Sequence, residues 1–150
     1  MWQLNLPKYI FRIKKQNEKY QIFDSIRNRY VSLTPEEWVR QHFIQFLIQQ
    51  KGYPKALIGL EVQLNLNGMK KRCDAILFNS EKKPIMIIEF KAPNVPINQQ
   101  TFDQVAVYNS KLNVNLLIIS NGMEHFCCKV NTETSQYEFY KDIPDYNSFL

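Results

Sequence analysis

Three charged residues on two neighbouring predicted strands have the types and spacing of a hydrolytic site. Asp74 interrupts the predicted strand 71–78, where it shares a face with Ile76 and Phe78. Glu89 and Lys91 lie on the predicted strand 85–91. Because Glu89 and Lys91 are two residues apart, both side chains leave the same face of a strand. A hairpin through residues 79–84 would bring Asp74 and Glu89 together near one end of the sheet.

Two carboxylates and a lysine in this arrangement predict a metal-dependent hydrolase. Carboxylate oxygens are hard ligands that suit Mg²⁺, with Mn²⁺ as an alternative. The cation would lower the pKa of a bound water and offset the charge that builds on a phosphodiester, while Lys91 would orient the attacking water. The same three residues also fit an ordinary Glu–Lys ion pair beside an aspartate near a turn, and spacing alone does not choose between the two interpretations.

Two predicted helices and a set of strands must position these residues. The stretch Thr34-Pro35-Glu36-Glu37 is typical of a helix start, with Thr34 as N-cap and Glu37 completing a capping box. Apolar residues at helical spacing continue this helix to Gly52, and a second helix is predicted over 99–112. The predicted strands are 60–66, 71–78, 85–91 and 114–119, with short strands before residue 34 and a terminal hairpin at 126–130 and 137–140.

Composition indicates a folded, non-secreted protein. Of the 150 residues, 45% are apolar and 22% charged, and the net charge is +5, which fits either a nucleic-acid partner or plain solubility. Three cysteines without a paired spacing predict a reducing, cytoplasmic setting, and the absence of long apolar segments predicts no membrane partner. Of the adjacent pair Cys127 and Cys128, we expect one buried and one exposed thiol. His42 and His125 are interpreted as structural.

Four blocks of the chain occur in an order that resembles a known family. They are residues 34–41 (TPEEWVRQ), 87–93 (IIEFKAP), 101–109 (TFDQVAVYN) and 118–122 (IISNG). Together they resemble the N-terminal nuclease domain of type I restriction enzyme R subunits, a branch of the PD-(D/E)xK nuclease superfamily, over residues 20–145. One departure is that Cys73 precedes Asp74, where that motif carries proline.

The resemblance implies a role for each matching residue. Asp74 and Glu89 would be metal ligands and Lys91 the catalytic lysine. Gln104 and Tyr108 match a QxxxY element that would contact DNA or support Lys91, although they also fit an ordinary amphipathic helix surface. Glu36 is preferred to Glu37 as a further metal ligand. The basic residues of two predicted turns would contact phosphates or are solvated charges: Lys70, Lys71, Arg72, Lys82 and Lys83.

The resemblance also implies an architecture and partners. We expect an α/β domain with a restriction-endonuclease-like core, in which a central mixed sheet is flanked by helices in the order α-β-β-β-α-β. A single domain would comprise an N-terminal β extension (1–33), a catalytic core (34–120) and a C-terminal hairpin and tail (121–150).

The implied activity is Mg²⁺-dependent cleavage of double-stranded DNA with little sequence preference. The implied partners are a translocase domain and the modification and specificity subunits of a restriction system. No phosphate-binding G-x-x-x-x-G-K-[S/T] loop is present, so we expect no ATP hydrolysis by this chain. A non-cleaving nucleic-acid-binding or subunit-assembly module with the same fold is the open alternative.

Overall fold

The fold is a mixed α/β arrangement with two sheets and two helices. The computed structural model describes residues 2–66, 68–114, 116–131, 133–134 and 136–149, and at positions 66, 69 and 108–111 it describes the backbone alone. The helices are α1 (Pro35–Lys51) and α2 (Gln99–Leu112). The strands are β1 (Ile13–Gln16), β2 (Lys19–Asp24), β3 (Arg29–Ser32), β4 (Ile58–Leu66), β5 (Met69–Phe78), β6 (Pro84–Phe90), β7 (Leu116–Ser120), β8 (His125–Asn131) and β9 (Gln136–Tyr140).

The large sheet has six strands in sequence order, β4 to β9. All neighbouring pairs are antiparallel except β6 and β7, which are parallel and are connected through α2. The predicted α/β class, mixed sheet and two helices are therefore confirmed. Among the described residues, no helix is long and apolar enough to cross a membrane.

Helix α1 begins as its sequence predicts. The hydroxyl of Thr34 accepts a hydrogen bond from the backbone N–H of Glu37 at 3.0 Å, and Pro35 is the first helical residue. The helix ends at Gly52, which adopts a left-handed conformation with φ +74°. Its buried residues Val39, Phe43 and Leu47 pack on one face of the large sheet.

The apolar core lies on both faces of the large sheet. One cluster joins α1 to alternate residues of β6 and β7, such as Ile88 and Ile118. The second joins α2 to the intervening residues, such as Ile87 and Leu117. All five residues of β7 are buried, which confirms the prediction of a strand covered on both faces.

The expectation of one exposed thiol at the adjacent cysteines is wrong. Cys127 belongs to the α1-side cluster and Cys128 to the α2-side cluster, and both are buried. Both faces of β8 are covered at this point. Strand alternation therefore places the two thiols on opposite faces, each within an apolar cluster.

A separate sheet of β1, β2 and β3 precedes α1, as the N-terminal strand prediction indicates. Before it, residues 2–6 form a strap that crosses α1. The Trp38 indole N–H donates to the backbone oxygen of Trp2 at 2.9 Å, and the backbone N–H of Asn5 donates to the oxygen of Gly122 at 2.8 Å. The His125 Nε2–H donates to the Asn5 oxygen at 2.8 Å, a structural role as predicted.

Replacing Gly122 with alanine should destabilise the strap. A Cβ there would lie 2.7 Å from Cδ2 of Leu4 and 3.0 Å from Cγ2 of Val39, whereas a Cβ at Gly52 would meet no atom within 4 Å. Both residues have positive φ, so Gly52→Ala controls for backbone strain of about 1–2 kcal/mol. In urea unfolding, we expect Gly122→Ala to cost about 1–3 kcal/mol more than Gly52→Ala. Equal losses would show that Leu4 does not pack there.

Candidate functional site

Asp74 and Glu89 lie at the point where the ladder between β5 and β6 ends. The ladder pairs Ala75 with Ile88, and the next pair in the same register would be Asp74 and Glu89. At this position the side chain of Asp74 intervenes, because its Oδ2 accepts a hydrogen bond from the backbone N–H of Phe90 at 2.8 Å. The two carboxylates are therefore brought together where the strands part.

Strand alternation is interrupted at Asp74. Cys73 packs in the α2-side cluster and Ala75 in the α1-side cluster, although a regular strand would place both on one face. The partner strand is irregular at the same position, since Glu61 has φ +51° and the ladder omits the pair Glu61–Asp74. The expected regular alternation of Asp74 with Ile76 and Phe78 is therefore broken by a local kink.

The two carboxylates interact as crowded like charges. Burial and the nearby charge of Asp74 together raise the pKa of Glu89 to about 8, and the charge of Lys91 offsets only part of this rise. Burial also raises the pKa of Asp74, despite the Phe90 hydrogen bond and the charges of Arg40 and Lys91. Two ionised carboxylates at this site would therefore carry more negative charge than their surroundings compensate.

One oxygen of this site has no partner. Oε2 of Glu89 is buried and accepts no hydrogen bond from any described residue. An unpaired buried carboxylate oxygen beside a second carboxylate fits a divalent cation, which would supply the missing positive charge. The donor set therefore fits Mg²⁺ or Mn²⁺ with Asp74 and Glu89 as ligands.

Glu36 lies in the first turn of α1 and is close enough to interact with the same charges. Burial and the charge of Asp74 raise its pKa, while Arg40 and Lys91 lower it. Its side chain is exposed. Within the part of the chain that the structure describes, no group of three His, Cys, Asp or Glu side chains is arranged to hold a metal ion. Glu36 as a third ligand stays a prediction that requires its side chain to turn inward.

A buried network of ion pairs adjoins this site, and sequence reasoning missed it. Arg40 donates from Nε and Nη2 to both oxygens of Glu37, at 2.9 and 2.7 Å. Its Nη2 also donates to Glu61 at 3.1 Å, and its Nη1 donates to the backbone oxygen of Asp74 at 3.5 Å. Arg40 thus joins α1 to the kinked pair of strands at the residue that carries the proposed ligand.

The same network reaches the N-terminal sheet. Arg27, in the turn after β2, donates to Asp24 at 2.6 Å and to Glu37 at 2.9 Å. Gln41 donates to Asp24 and to Glu37, each at 3.0 Å. Asp24 is fully buried, so its charge depends on these partners.

The role of Glu37 differs from the predicted capping box. Its backbone N–H is capped by Thr34, but its carboxylate bonds the two arginines and Gln41 rather than the N-cap. Burial would raise its pKa, yet the hydrogen bonds and charge of Arg40 dominate and the pKa is lowered. The spacing of Glu37, Arg40 and Gln41 at i, i+3 and i+4 was the available sequence signal.

The remaining predicted residues are not gathered at the carboxylates. Gln104 is exposed on α2 and bonds no described residue, and the side chain of Tyr108 lies outside the described residues. Lys70 and Lys71 are exposed on β5. Arg72 is also exposed but donates to Glu61 at 3.3 Å, which places it at the edge of the network. Lys82 and Lys83 lie in the exposed turn between β5 and β6.

Cysteine chemistry has no support in the structure. Burial raises the pKa of Cys73 and of Cys127 to about 12 and that of Cys128 to about 11. These thiols therefore stay protonated at neutral pH and are poor nucleophiles. His42 donates from Nδ1 to the backbone oxygen of Trp38 at 2.8 Å and packs on its ring, a structural role as predicted.

The family model for the type I restriction enzyme R protein N terminus matches residues 35–144. The chain belongs to this family. A solved fragment described as an HsdR subunit of a type I restriction enzyme from Vibrio vulnificus YJ016 has a similar fold, with a TM-score of 0.55 and 19% sequence identity. The similarity covers 75% of this chain and 24% of that fragment, so the chain spans about a quarter of its structural relative. No curated protein matches the chain significantly.

The family match includes α1, Arg40, Glu61 and the three charged residues Asp74, Glu89 and Lys91, whereas Asp24 and Arg27 of the network precede it. It begins after the N-terminal sheet, which therefore lies outside the matched family region.

Removing Arg40 should destabilise the protein far more than removing Arg72. Both arginines donate to Glu61, but the Arg40 side chain is 6% exposed and the Arg72 side chain 64%. Arg40→Ala removes two donors from the buried Glu37 carboxylate, which keeps Arg27 and Gln41, and should cost up to about 3–5 kcal/mol, whereas Arg72→Ala should cost less than about 1 kcal/mol. Urea unfolding at pH 7 measures both. Similar small losses would mean that the network contributes no stability.

The raised pKa of Glu89 predicts a pH-dependent stability. Because the folded-state pKa of about 8 exceeds the usual 4.5, the folded protein holds this proton more tightly, and Glu89 reduces stability as pH rises from about 4.5 to about 8. In the metal-free protein, Glu89→Gln should therefore be more stabilising at pH 8 than at pH 5, by on the order of 2–4 kcal/mol. Urea unfolding at the two pH values measures this difference.

Glu81→Gln is the matched control, because that side chain is 73% exposed on the turn between β5 and β6. It should show no such change between pH 5 and pH 8. A pH-independent effect of Glu89→Gln would argue that Glu89 ionises normally in the folded protein.

Proposed function

We propose that this chain is a Mg²⁺-dependent DNA endonuclease domain of a type I restriction system. The observation that carries the proposal is the buried, unpartnered Oε2 of Glu89 beside the carboxylate of Asp74, both under-compensated in charge. Membership of the restriction enzyme R family supports phosphodiester hydrolysis as the reaction. The PD-(D/E)xK assignment of the core belongs to this proposal.

Each residue of the site has a proposed role that follows from its position. Asp74 and Glu89 would hold the cation, and Glu89 would release its proton on binding it. The ammonium of Lys91, which follows β6 directly, would orient the attacking water and stabilise the negative charge that develops on the phosphoryl oxygens. When bound, the cation lowers the pKa of water and neutralises phosphate charge. Glu36, with its exposed side chain in the first turn of α1, would complete the coordination.

The chain spans about a quarter of its structural relative, so the substrate and partners of the whole enzyme are also part of this proposal. Double-stranded DNA is the proposed substrate, cut with little sequence preference, while a translocase domain and the modification and specificity subunits are the proposed partners. Gln104 and Tyr108 remain proposed DNA-contacting or supporting residues on α2, and Lys70, Lys71 and Arg72 remain proposed phosphate contacts. A non-cleaving nucleic-acid-binding or assembly module is the second candidate, favoured by the lack of a three-residue metal cluster among the described residues.

Metal binding distinguishes the two candidates. The unaltered protein should bind Mg²⁺ or Mn²⁺ in a calorimetric titration at pH 7.5, and Glu89→Ala and Asp74→Ala should abolish the heat because each removes a ligand. Glu81→Ala removes an exposed carboxylate and should leave binding unchanged. Metal binding that survives Glu89→Ala would rule out the proposed site.

Cleavage is tested separately on supercoiled plasmid with Mg²⁺. Lys91→Ala should retain metal binding and lose about 10²–10³-fold in nicking rate, because Lys91 contributes charge stabilisation and no ligand. Asp74→Ala should lose both activities. Metal binding by a protein that does not nick the plasmid would instead support the non-cleaving module.

A further inference from the structure

The whole net charge of the protein is carried by the N-terminal sheet and the segment before it. Residues 1–33 contain seven basic and two acidic side chains, while residues 34–150 contain twelve of each. The excess of +5 therefore lies outside the matched family region, which begins at residue 35. One of the two acids, Asp24, is paired with Arg27 in the buried network.

Three basic residues lie on one face of this sheet, while Lys15 and Arg29 lie on the other. Strand alternation and pairing place Arg12, Lys14 and Lys19 on the face that also carries Phe23 and Tyr30. The opposite face contains Ile22 and Asp24, both fully buried against the rest of the molecule. The three cations are exposed, so this outward face is positively charged and open to solvent.

Aromatic rings hold two of these cations in place. The guanidinium of Arg12 lies 3.9 Å from the ring centroid of Phe23, and the ammonium of Lys14 lies 4.1 Å from that of Tyr30. The two rings contact each other edge-on, with centroids 5.2 Å apart. A cation fixed on a ring has less conformational freedom to lose on binding an anion.

The covered position of the two rings favours duplex over single-stranded nucleic acid as the ligand. Single strands bind by stacking bases on exposed aromatic rings, but here the rings are half-buried and covered by the cations. The face therefore offers charge without a stacking platform, which suits the phosphate backbone of a duplex and carries no base specificity.

Arg27 connects the sheet to residues next to the candidate site. Arg27, at the turn between β2 and β3, bonds Glu37, and its Nη1 lies 3.7 Å from Oε1 of Glu61. Glu61 and Asp74 are the residues that the β4–β5 ladder omits between the pairs Leu60–Ala75 and Val62–Cys73. A duplex lying on the outward face would therefore be held by a unit attached to the strands that carry the carboxylates.

We propose that the outward face of the N-terminal sheet, formed by Arg12, Lys14 and Lys19, is a docking surface for the phosphate backbone of duplex DNA. It would hold the duplex beside Asp74 and Glu89. The choice of DNA rests on the proposed endonuclease function, but the surface acts in binding and needs no metal.

The test compares two triple variants of equal charge. Arg12→Gln/Lys14→Gln/Lys19→Gln removes the outward face, and Lys55→Gln/Lys129→Gln/Lys141→Gln removes three exposed lysines from the rest of the chain. Fluorescence anisotropy with a 20-base-pair duplex in EDTA measures affinity across 25–150 mM NaCl. We expect at least a 10-fold loss for the first variant and less than 3-fold for the control. The slope of log K against log salt should fall by about 3 in the first variant alone.

Several outcomes would overturn the proposal. Equal losses in both variants would show that net charge alone governs affinity, and unchanged affinity in the first would show that the surface is not used. Tighter binding to a single strand or to RNA than to the duplex would contradict the assignment of ligand. If the triple variant melts early, Lys14→Gln/Lys19→Gln retains the Arg12–Phe23 contact and should still lose 3–10-fold.

Failure of this proposal and failure of the proposed function are separable. Metal-dependent nicking with unchanged affinity in the first variant would refute the docking surface and leave the nuclease assignment standing. Loss of duplex binding in that variant, in a protein that nicks no plasmid, would support the surface and refute the nuclease.

Discussion

The ion pair between Arg40 and Glu37 is the constraint on which the rest of the structure depends. Both side chains are 6% exposed, so each charge depends on the bonds it makes within the network. Through it, α1 is tied to the N-terminal sheet by Arg27 and to the kinked strands by Glu61. Apolar packing brings α1 onto the large sheet, but these directional bonds determine which residue of β5 lies under Arg40.

Two glutamates within this small region, Glu37 and Glu89, have opposite electrostatic environments. Glu37 receives donors from two arginines and a glutamine, and its pKa is lowered. Glu89 lies beside another carboxylate, leaves one oxygen unbonded, and has a pKa of about 8. Burial alone therefore does not mark a functional group. The contrast lies in compensation: donors from the network surround Glu37, whereas Glu89 keeps one buried oxygen without a hydrogen-bond partner among the described residues.

Much of the architecture could be predicted because its signals are local. Thr34 and Pro35 specify the start of α1, and the unbroken apolar run of β7 specifies a strand covered on both faces. The irregularity at Asp74 could not be predicted, because it arises from the positive φ of Glu61 and from a side chain that replaces a ladder bond.

The ion-pair network was equally hidden, since Asp24 and Glu61 are distant from Glu37 in sequence. For the candidate site, sequence indicated the carboxylates and Lys91, whereas their under-compensated charge is visible only in three dimensions. The Cys127–Cys128 pair shows a different case: the two thiols alternate between the faces of β8, but both faces are covered, so neither thiol is exposed.

The strap has a consequence for the order in which the chain assembles. Asn5 is synthesised 120 residues before its partner His125. The strap can therefore dock across α1 only after the β7–β8 turn has left the ribosome. Until then the N-terminal sheet contacts α1 through bonds such as those of Arg27 and Gln41 but without the strap, so the strap is among the last features that the nascent protein acquires.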